Sequence, residues 1–169
     1  MIRLLTILIL SSCWLTGVAN DAETRSLSFY HTHSRQALEV TYYRNGQYDA
    51  DAMRAIRVFL ADWRDHKEMD IDPELMDILW EISQRTGHEG VYEVISAYRS
   101  PQTNTFLRTN SPGVAKNSMH LKGQAIDVRL RDFETKRLRD VALELGHGGV
   151  GYYEDSDFVH IDTGRVRRW

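Results

Sequence analysis

The sequence predicts a single small α+β domain, in which a central and mostly antiparallel sheet is flanked by about three helices. Segments with the periodicity of strands and of helices follow one another without a regular β-α-β repeat, which favours α+β over α/β. The length of 169 residues suits one domain, and a composition of 42% apolar and 27% charged residues is ordinary for a globular protein.

The first nineteen residues differ in character from the rest of the chain. Arg3 gives a positive end, the apolar run 4–10 follows, and small residues then lead to a small-x-small cleavage site. This order is typical of an export signal peptide, which we assign to 1–19. A membrane anchor is the alternative, but the apolar run is short for a span. The polar residues 20–26 predict a loose leader before a domain at 27–169.

The cysteine content and the net charge restrict the compartment in which the protein acts and the partners it binds. Cys13 is the only cysteine, so the domain has no disulfide and no thiolate ligand for a metal. The segment Leu10-Ser-Ser-Cys13 also resembles a lipoprotein cleavage box, which makes a lipid anchor the alternative to a soluble protein in the periplasm. A net charge of −3 gives no indication of nucleic-acid binding. The run Arg165-Val-Arg167-Arg168 predicts a solvated tail, and nothing points to a stable protein partner.

The first half of the domain begins with strands. A strand is predicted at about 27–33, and strands at 39–43 and 47–49 flank Asn45-Gly46, a strong signal for a two-residue hairpin. Apolar residues then recur at helical spacing and predict an amphipathic helix over about 51–65.

The middle of the chain alternates between helix and strand. A second helix is predicted from Asp72-Pro73, an N-cap followed by proline in the first turn, to Gly87. A central strand is expected at 91–97 because the segment is apolar and β-branched. A short helix follows at 101–107, and 110–113 forms a turn or mobile loop.

The last third carries the residues of chemical interest. The segment 123–130 alternates, which directs Asp127 to the face opposite its apolar neighbours. A further helix is predicted between an N-cap at Asp132 and Gly146. A glycine-rich segment leads into the next strand, and a last strand covers 158–162. In this strand Val159 and Ile161 face inward, and Phe158, His160 and Asp162 face outward.

The stretch 118–127 has the composition of a metal site. Its pattern is S-x-H-x-x-G-x-A-x-D, which puts His120 and Asp127 seven residues apart. A lone histidine is more often a core or surface residue, but neutral imidazole and carboxylate together are good zinc ligands. We therefore hypothesise that His120, Asp127 and His160 hold one zinc ion, with a water in the fourth position. Three protein ligands and a water are typical of catalytic rather than structural zinc.

These motifs resemble those of the zinc peptidases of the bacterial cell wall, a group that includes D-alanyl-D-alanine metallopeptidases and lysostaphin, with hedgehog domains as distant relatives. The chain is most similar to the exported MepK-like murein endopeptidases. The resemblance runs from about Ser28 to Trp169, and its most specific parts are 96–101, 118–127 and 149–164.

The resemblance implies a hedgehog/DD-peptidase-like fold and assigns roles within the site. The positions of His120, Asp127 and His160 bind zinc in the family, Asp157 matches its general base, and Arg99 matches an arginine that binds or polarises the substrate. The chemistry implied is attack of an activated water on a peptide carbonyl.

Several other residues are candidates for the surroundings of the metal. Several relatives read His-x-His where this chain has His160-Ile-Asp162. Asp162 is either a hydrogen-bond acceptor for the far nitrogen of His160 or a surface residue. Ser118, Gln102 and Asn104 are candidates for contacts to substrate or backbone, with helix capping as the alternative for the last two.

The function implied by the resemblance is that of a zinc-dependent endopeptidase that cuts peptide crosslinks of peptidoglycan, with its peptide stems as substrate. Two alternatives stay open: a carboxypeptidase that removes a terminal D-amino acid, with Arg99 holding the free carboxylate, and a metal-holding module that binds cell wall without hydrolysis. Neither D,D nor L,D crosslinks are singled out. His31 and His33 have metal-like H-x-H spacing, but three other ligands already complete a zinc site.

Overall fold

The computed structural model describes residues 23–88, 90–111 and 113–169. The signal peptide and the lipid attachment at Cys13 are predictions that lie outside these residues, as do residues 20–22 of the predicted leader. Among the residues described, no helix combines the length and the apolar character needed to cross a bilayer.

The described residues form one eight-stranded sheet and four α-helices, which confirms the α+β class. The strands are β1 (Thr24–His31), β2 (Ala37–Arg44), β3 (Gln47–Tyr48), β4 (Tyr92–Ser96), β5 (Ala125–Leu130), β6 (Gly149–Tyr153), β7 (Phe158–Asp162) and β8 (Arg167–Arg168). The helices are α1 (Ala50–Phe59), α2 (Pro73–Thr86), α3 (Pro101–Asn110) and α4 (Thr135–Leu145), with a short 3-10 helix at Met119–Lys122.

The sheet has the strand order β3-β2-β1-β4-β5-β7-β6-β8. Its pairs are antiparallel except β1–β4 and β6–β8, so it is mostly antiparallel, as predicted. The chain enters at one side with the β1–β2–β3 meander and completes the other side with β5 to β8. The strands that carry the predicted metal ligands, β5 and β7, are direct neighbours inside the sheet.

One face of the sheet packs against α2 and α4 and holds the core. The alternate residues of β5 and β7 that face this core are Ile126, Val128, Val159 and Ile161, all fully buried. Burial of each such side chain stabilises the fold by about 1.5–3 kcal/mol. Because side chains of a strand alternate between its faces, the residues between them project to the opposite side.

Local signals in the sequence account for several boundaries. The β2–β3 hairpin turns at Asn45 and Gly46, whose φ angles of 52° and 81° are those of a type I′ turn. The side chain of Asp72 accepts a hydrogen bond from the backbone N–H of Glu74 and caps α2, which ends at Gly87 as predicted.

Two boundaries in the first half of the domain differ from the prediction. Strand β1 begins at Thr24, where it pairs with Arg44, so residues 24–26 belong to the sheet and not to a leader. Helix α1 ends at Phe59 and not near residue 65. Beyond it, the buried Asp62 accepts hydrogen bonds from the backbone N–H groups of Arg64 and Ser100, which hold the chain in a turn.

The predicted N-cap of α4 is also wrong. Asp132 has a φ of 59°, a left-handed conformation that an N-cap residue does not adopt, and the helix starts after Glu134. The predicted solvated tail is wrong in part, because Arg167 and Arg168 form β8 and pair in parallel with β6. This strand is short, and its pairing depends on residues distant in the sequence.

Candidate metal centre

Three predicted ligands converge on the face of the sheet opposite the core. Asp127 and His160 are directly paired residues of β5 and β7, and His120 comes from the 3-10 helix before β5. Oδ1 of Asp127 lies 3.2 Å from Nε2 of His120 and 2.8 Å from Nδ1 of His160. The three atoms lie within 4.8 Å of one another, so they could bind one metal ion.

The 3-10 helix brings His120 to this position. Ser118 caps it, and its Oγ accepts a hydrogen bond from the backbone N–H of His120. Gly123 ends it with a φ of 68°, and a Cβ at this position would lie 2.2 Å from the carbonyl oxygen of Asp70. Glycine is therefore required here both for backbone conformation and for space. The turn reverses the chain, so that His120 lies beside Asp127.

The outer nitrogen of each histidine has an acceptor. Nδ1 of His120 lies 2.6 Å from the backbone carbonyl of Ala97, which can only accept, so the hydrogen is on Nδ1 and the lone pair of Nε2 faces the cluster. Nε2 of His160 lies 2.8 Å from Oδ2 of Asp162, which leaves Nδ1 facing the cluster. Acceptors of this kind fix the orientation of metal-binding histidines.

The pKa values of these three side chains are shifted by burial and by their charged neighbours. Burial raises the pKa of Asp127, but the adjacent His120 and His160 outweigh it and hold that pKa well below its usual range. Burial lowers the pKa of His120, although the adjacent Asp127 acts in the opposite direction. Burial also lowers the pKa of His160, but its hydrogen bonds to Asp127 and Asp162 outweigh burial and raise it. A metal that binds Nδ1 of His160 would require this atom to be free of a proton, so its affinity would depend on pH.

Arg99 lies beside the cluster. Its Nε donates to Oγ of Ser96 at 2.9 Å, and Nη2 donates to Oδ2 of Asp127 at 2.5 Å. The two oxygens of Asp127 are thus divided, with Oδ1 toward the histidines and Oδ2 toward the guanidinium. Only 14% of the Arg99 side chain is exposed, so this charge-assisted hydrogen bond is shielded from water.

An open cavity of about 360 Å³ leads from the surface to the cluster. Its floor contains the three converging side chains and Arg99. One wall is the segment 113–119, and the other is aromatic and consists of Tyr153, Phe158 and Trp169. Apolar walls around a few convergent polar groups are typical of a ligand-binding site.

Asp157, the predicted general base, does not line this cavity. It lies in the turn between β6 and β7 with a φ of 51°, and its side chain is 62% exposed. Its Oδ1 accepts a hydrogen bond from Thr135 Oγ1 at 2.5 Å, and Oδ2 lies 3.5 Å from Nη1 of Arg129. The reason is geometric, because residues three apart at a strand end face different directions. The structure does not bring Asp157 to the three ligands.

Of the other three candidates, Ser118, Gln102 and Asn104, only Ser118 lines the cavity. Gln102 accepts a hydrogen bond from Lys67 Nζ on the surface of α3. Asn104 is buried, and its Nδ2 donates to the carbonyl of Ala115 at 3.2 Å, which ties the 113–119 wall to α3.

His31 and His33 belong to another part of the molecule. They lie near Trp63, on which His33 stacks with ring centroids 4.1 Å apart. The centroids of the two imidazole rings are 6.0 Å apart.

Arg167 and Trp169 line the cavity although the sequence analysis does not single them out as site residues. Arg167 donates from Nη1 and Nη2 to the two oxygens of Asp162 at 2.9 and 2.6 Å. The ring of Trp169 lies 5.2 Å from the ring of His160, measured between centroids. The basic run at 165–168 predicts a tail, but the two nearby glycines of β6 are a signal that large side chains are accommodated there.

Comparisons with known proteins agree with the geometry. A family model described as peptidoglycan L,D-endopeptidase MepK matches residues 19–169. Peptidoglycan L,D-endopeptidase MepK of Escherichia coli K12 is 38% identical over 145 residues, which cover 86% of this chain and 80% of that protein. Probable peptidoglycan L,D-endopeptidase MepK of Haemophilus influenzae is 34% identical over 154 residues, covering 90% and 83%. The chain therefore belongs to the MepK family of metallopeptidases.

Proposed function

We propose that the chain is a zinc-dependent endopeptidase that cuts L,D-crosslinks between peptide stems of peptidoglycan. The observation that carries the proposal is the convergence of His120 Nε2, His160 Nδ1 and Asp127 Oδ1 at the floor of an open cavity. The names of the relatives supply the substrate class and the preference for L,D bonds.

The donor set suits zinc. Two imidazole nitrogens and one carboxylate oxygen are found in catalytic zinc sites, which keep a further position for water or substrate. His120, Asp127 and His160 all line the cavity, so that position would face the substrate. When bound, zinc supplies Lewis acidity and a water that loses its proton near neutral pH.

The chain's own residues would orient the ligands and the substrate. Arg99 holds Oδ2 of Asp127 and so keeps Oδ1 directed at the histidines. The same guanidinium lines the cavity, where its charge would stabilise negative charge on the carbonyl oxygen of the scissile bond. The aromatic wall would exclude water and contact the apolar parts of the peptide stem.

Export would bring the protein to its proposed substrate. Residues 1–19 would direct the chain to the compartment in which peptidoglycan lies, and cleavage would leave a soluble periplasmic protein. A lipid anchor at Cys13 is the alternative, and the mass of the mature N-terminus distinguishes the two.

The test is digestion of defined muropeptides by the purified, zinc-loaded protein. Dimers joined by an L,D bond and dimers joined by a D,D bond are offered separately, and products are identified by mass spectrometry. We expect conversion of the L,D dimers to monomers, loss of activity on chelation, and recovery with zinc. The proposal fails if protein with demonstrated zinc leaves both dimers intact. Trimming of monomers alone would instead establish the carboxypeptidase.

A further inference from the structure

We propose that strand β8 is a positioning element of the metal site, in which Arg167 holds Asp162 and Asp162 in turn orients His160. The inference rests on the metal-dependent function proposed above. Strand β8 contains none of the three predicted metal ligands, so its role would be to hold one of them in position.

The contacts form a continuous chain from β8 to the cluster. Arg167 makes two parallel hydrogen bonds to the carboxylate of Asp162, at 2.9 and 2.6 Å. The backbone N–H groups of Gly149 and Gly164 also donate to Oδ1, at 3.1 and 2.9 Å. Oδ2 also accepts a hydrogen bond from Nε2 of His160, at 2.8 Å. Every donor around this carboxylate therefore limits its movement.

Burial makes the arginine necessary. Asp162 has no exposed side-chain surface, and a buried carboxylate that loses its counter-charge is strongly destabilised. Without Arg167, the carboxylate of Asp162 would be free to move toward water, and this movement would release Nε2 of His160. The ring would then be free to turn, so that Nδ1 would no longer face the cluster.

Strand β6 is built to admit these side chains. Its two glycines, Gly149 and Gly151, are paired with Asp162 and His160 across the sheet. A Cβ at Gly149 would lie 2.3 Å from Nη1 of Arg167, and a Cβ at Gly151 would lie 2.5 Å from the Trp169 ring. Neither glycine has a positive φ, so space rather than backbone conformation explains their presence.

Trp169 holds the same histidine from another side. The backbone of Trp169 pairs with β6, donating to Val150 and accepting from Tyr152. Its indole N–H donates to the hydroxyl of Tyr153 at 3.0 Å, and its ring packs beside His160. Strand β8 is thus linked to His160 through the hydrogen bonds of Arg167 and Asp162, and Trp169, which follows β8, packs its ring beside the same histidine.

The experiment measures zinc affinity rather than activity. Arg167→Met is compared with Arg168→Met, its exposed neighbour on the same strand, by competition with a chromogenic chelator. We expect Arg167→Met to lose about 10–100-fold in affinity, because release of Asp162 removes the outer partner of a histidine ligand. Arg168→Met should stay within about twofold of wild type. The visible spectrum of the Co²⁺ form should change only in Arg167→Met.

A second comparison tests the route through Asp162. In an Asp162→Asn background, Arg167→Met should cause less than about a twofold further loss, because the two residues act in series. Folded Arg167→Met with wild-type zinc affinity would overturn the inference. Should Arg167→Met not fold, Arg167→Lys replaces it, since an ammonium cannot bond both oxygens as the guanidinium does. We then expect weaker zinc binding, and wild-type affinity would again overturn the inference. A wild-type protein that binds no zinc would overturn the proposed function itself.

Discussion

Nε2 of His120 and Nδ1 of His160 lie 3.2 Å apart, so the two histidines present different ring nitrogens to the same point. The difference follows from their outer partners, the carbonyl of Ala97 and the carboxylate of Asp162. Both partners accept hydrogen bonds and thereby select the tautomer of each ring. The site is thus arranged by hydrogen bonds that do not involve a metal.

His120→Ala should remove the metal and the activity together. The change deletes one of three ligand atoms and leaves the buried Asp127 with one fewer partner. We expect zinc content well below one ion per chain and a loss of activity of more than about 100-fold. The measurements are metal analysis after dialysis and muropeptide release. His66→Asn, at an exposed loop position with a φ of 59°, is the control and should retain both.

Arg99→Met should weaken metal binding as well as catalysis. The guanidinium holds Oδ2 of Asp127 and is itself held by Ser96, so its loss frees the ligand carboxylate to turn. We expect zinc affinity to fall by about 10–100-fold. The exposed Arg108→Met on α3 serves as the control. A variant with normal zinc affinity and a raised KM would show that Arg99 binds substrate only.

Asp157→Asn should leave the activity within about twofold of wild type, because the carboxylate lies outside the cavity and bonds Thr135. The measurement is the initial rate on L,D-crosslinked dimers at saturating zinc. Removal of a general base costs about 100- to 10,000-fold. A loss of that size with zinc retained would restore Asp157 as the base and require the β6–β7 turn to move in the complex.

His31 predicts a pH dependence of stability that is separate from the metal site. Burial lowers its pKa to about 4, and the charge of His33 adds to the effect. Between this value and about 6.5, the ordinary value, the unfolded chain binds more protons than the folded one, so the free energy of unfolding falls as the pH falls through this range. His31→Asn removes this titration.

Urea denaturation at pH 4.5 and pH 7, with the metal removed by a chelator, measures how the free energy of unfolding depends on pH. The loss of stability on acidification should be smaller in His31→Asn than in wild type. His66→Asn is the matched control, because His66 is exposed and its φ of 59° suits asparagine. Equal losses in wild type and His31→Asn would contradict the expectation.

Features with local signals were predictable from the sequence. The Asn45-Gly46 turn and the Asp72 cap involve residues next to one another, and their structures follow from backbone chemistry. The convergence of His120, Asp127 and His160 could be predicted because their residue types and spacing are those of a metal site. The roles of Arg167 and Trp169 could not, since β8 exists only through pairing with β6. The direction of Asp157 likewise depends on the turn that carries it.

The cross-strand pairing of Asp127 with His160 links the metal site to the register of the sheet. A slip of β7 by one residue along β5 would exchange its two faces, moving His160 into the core and Ile161 into the cavity. The apolar contacts that select the correct alignment therefore also select the coordination geometry. Replacing Ile126 or Ile161 with a smaller residue would weaken the preference for this register. We expect such chains to collapse into a compact form but to bind the metal poorly.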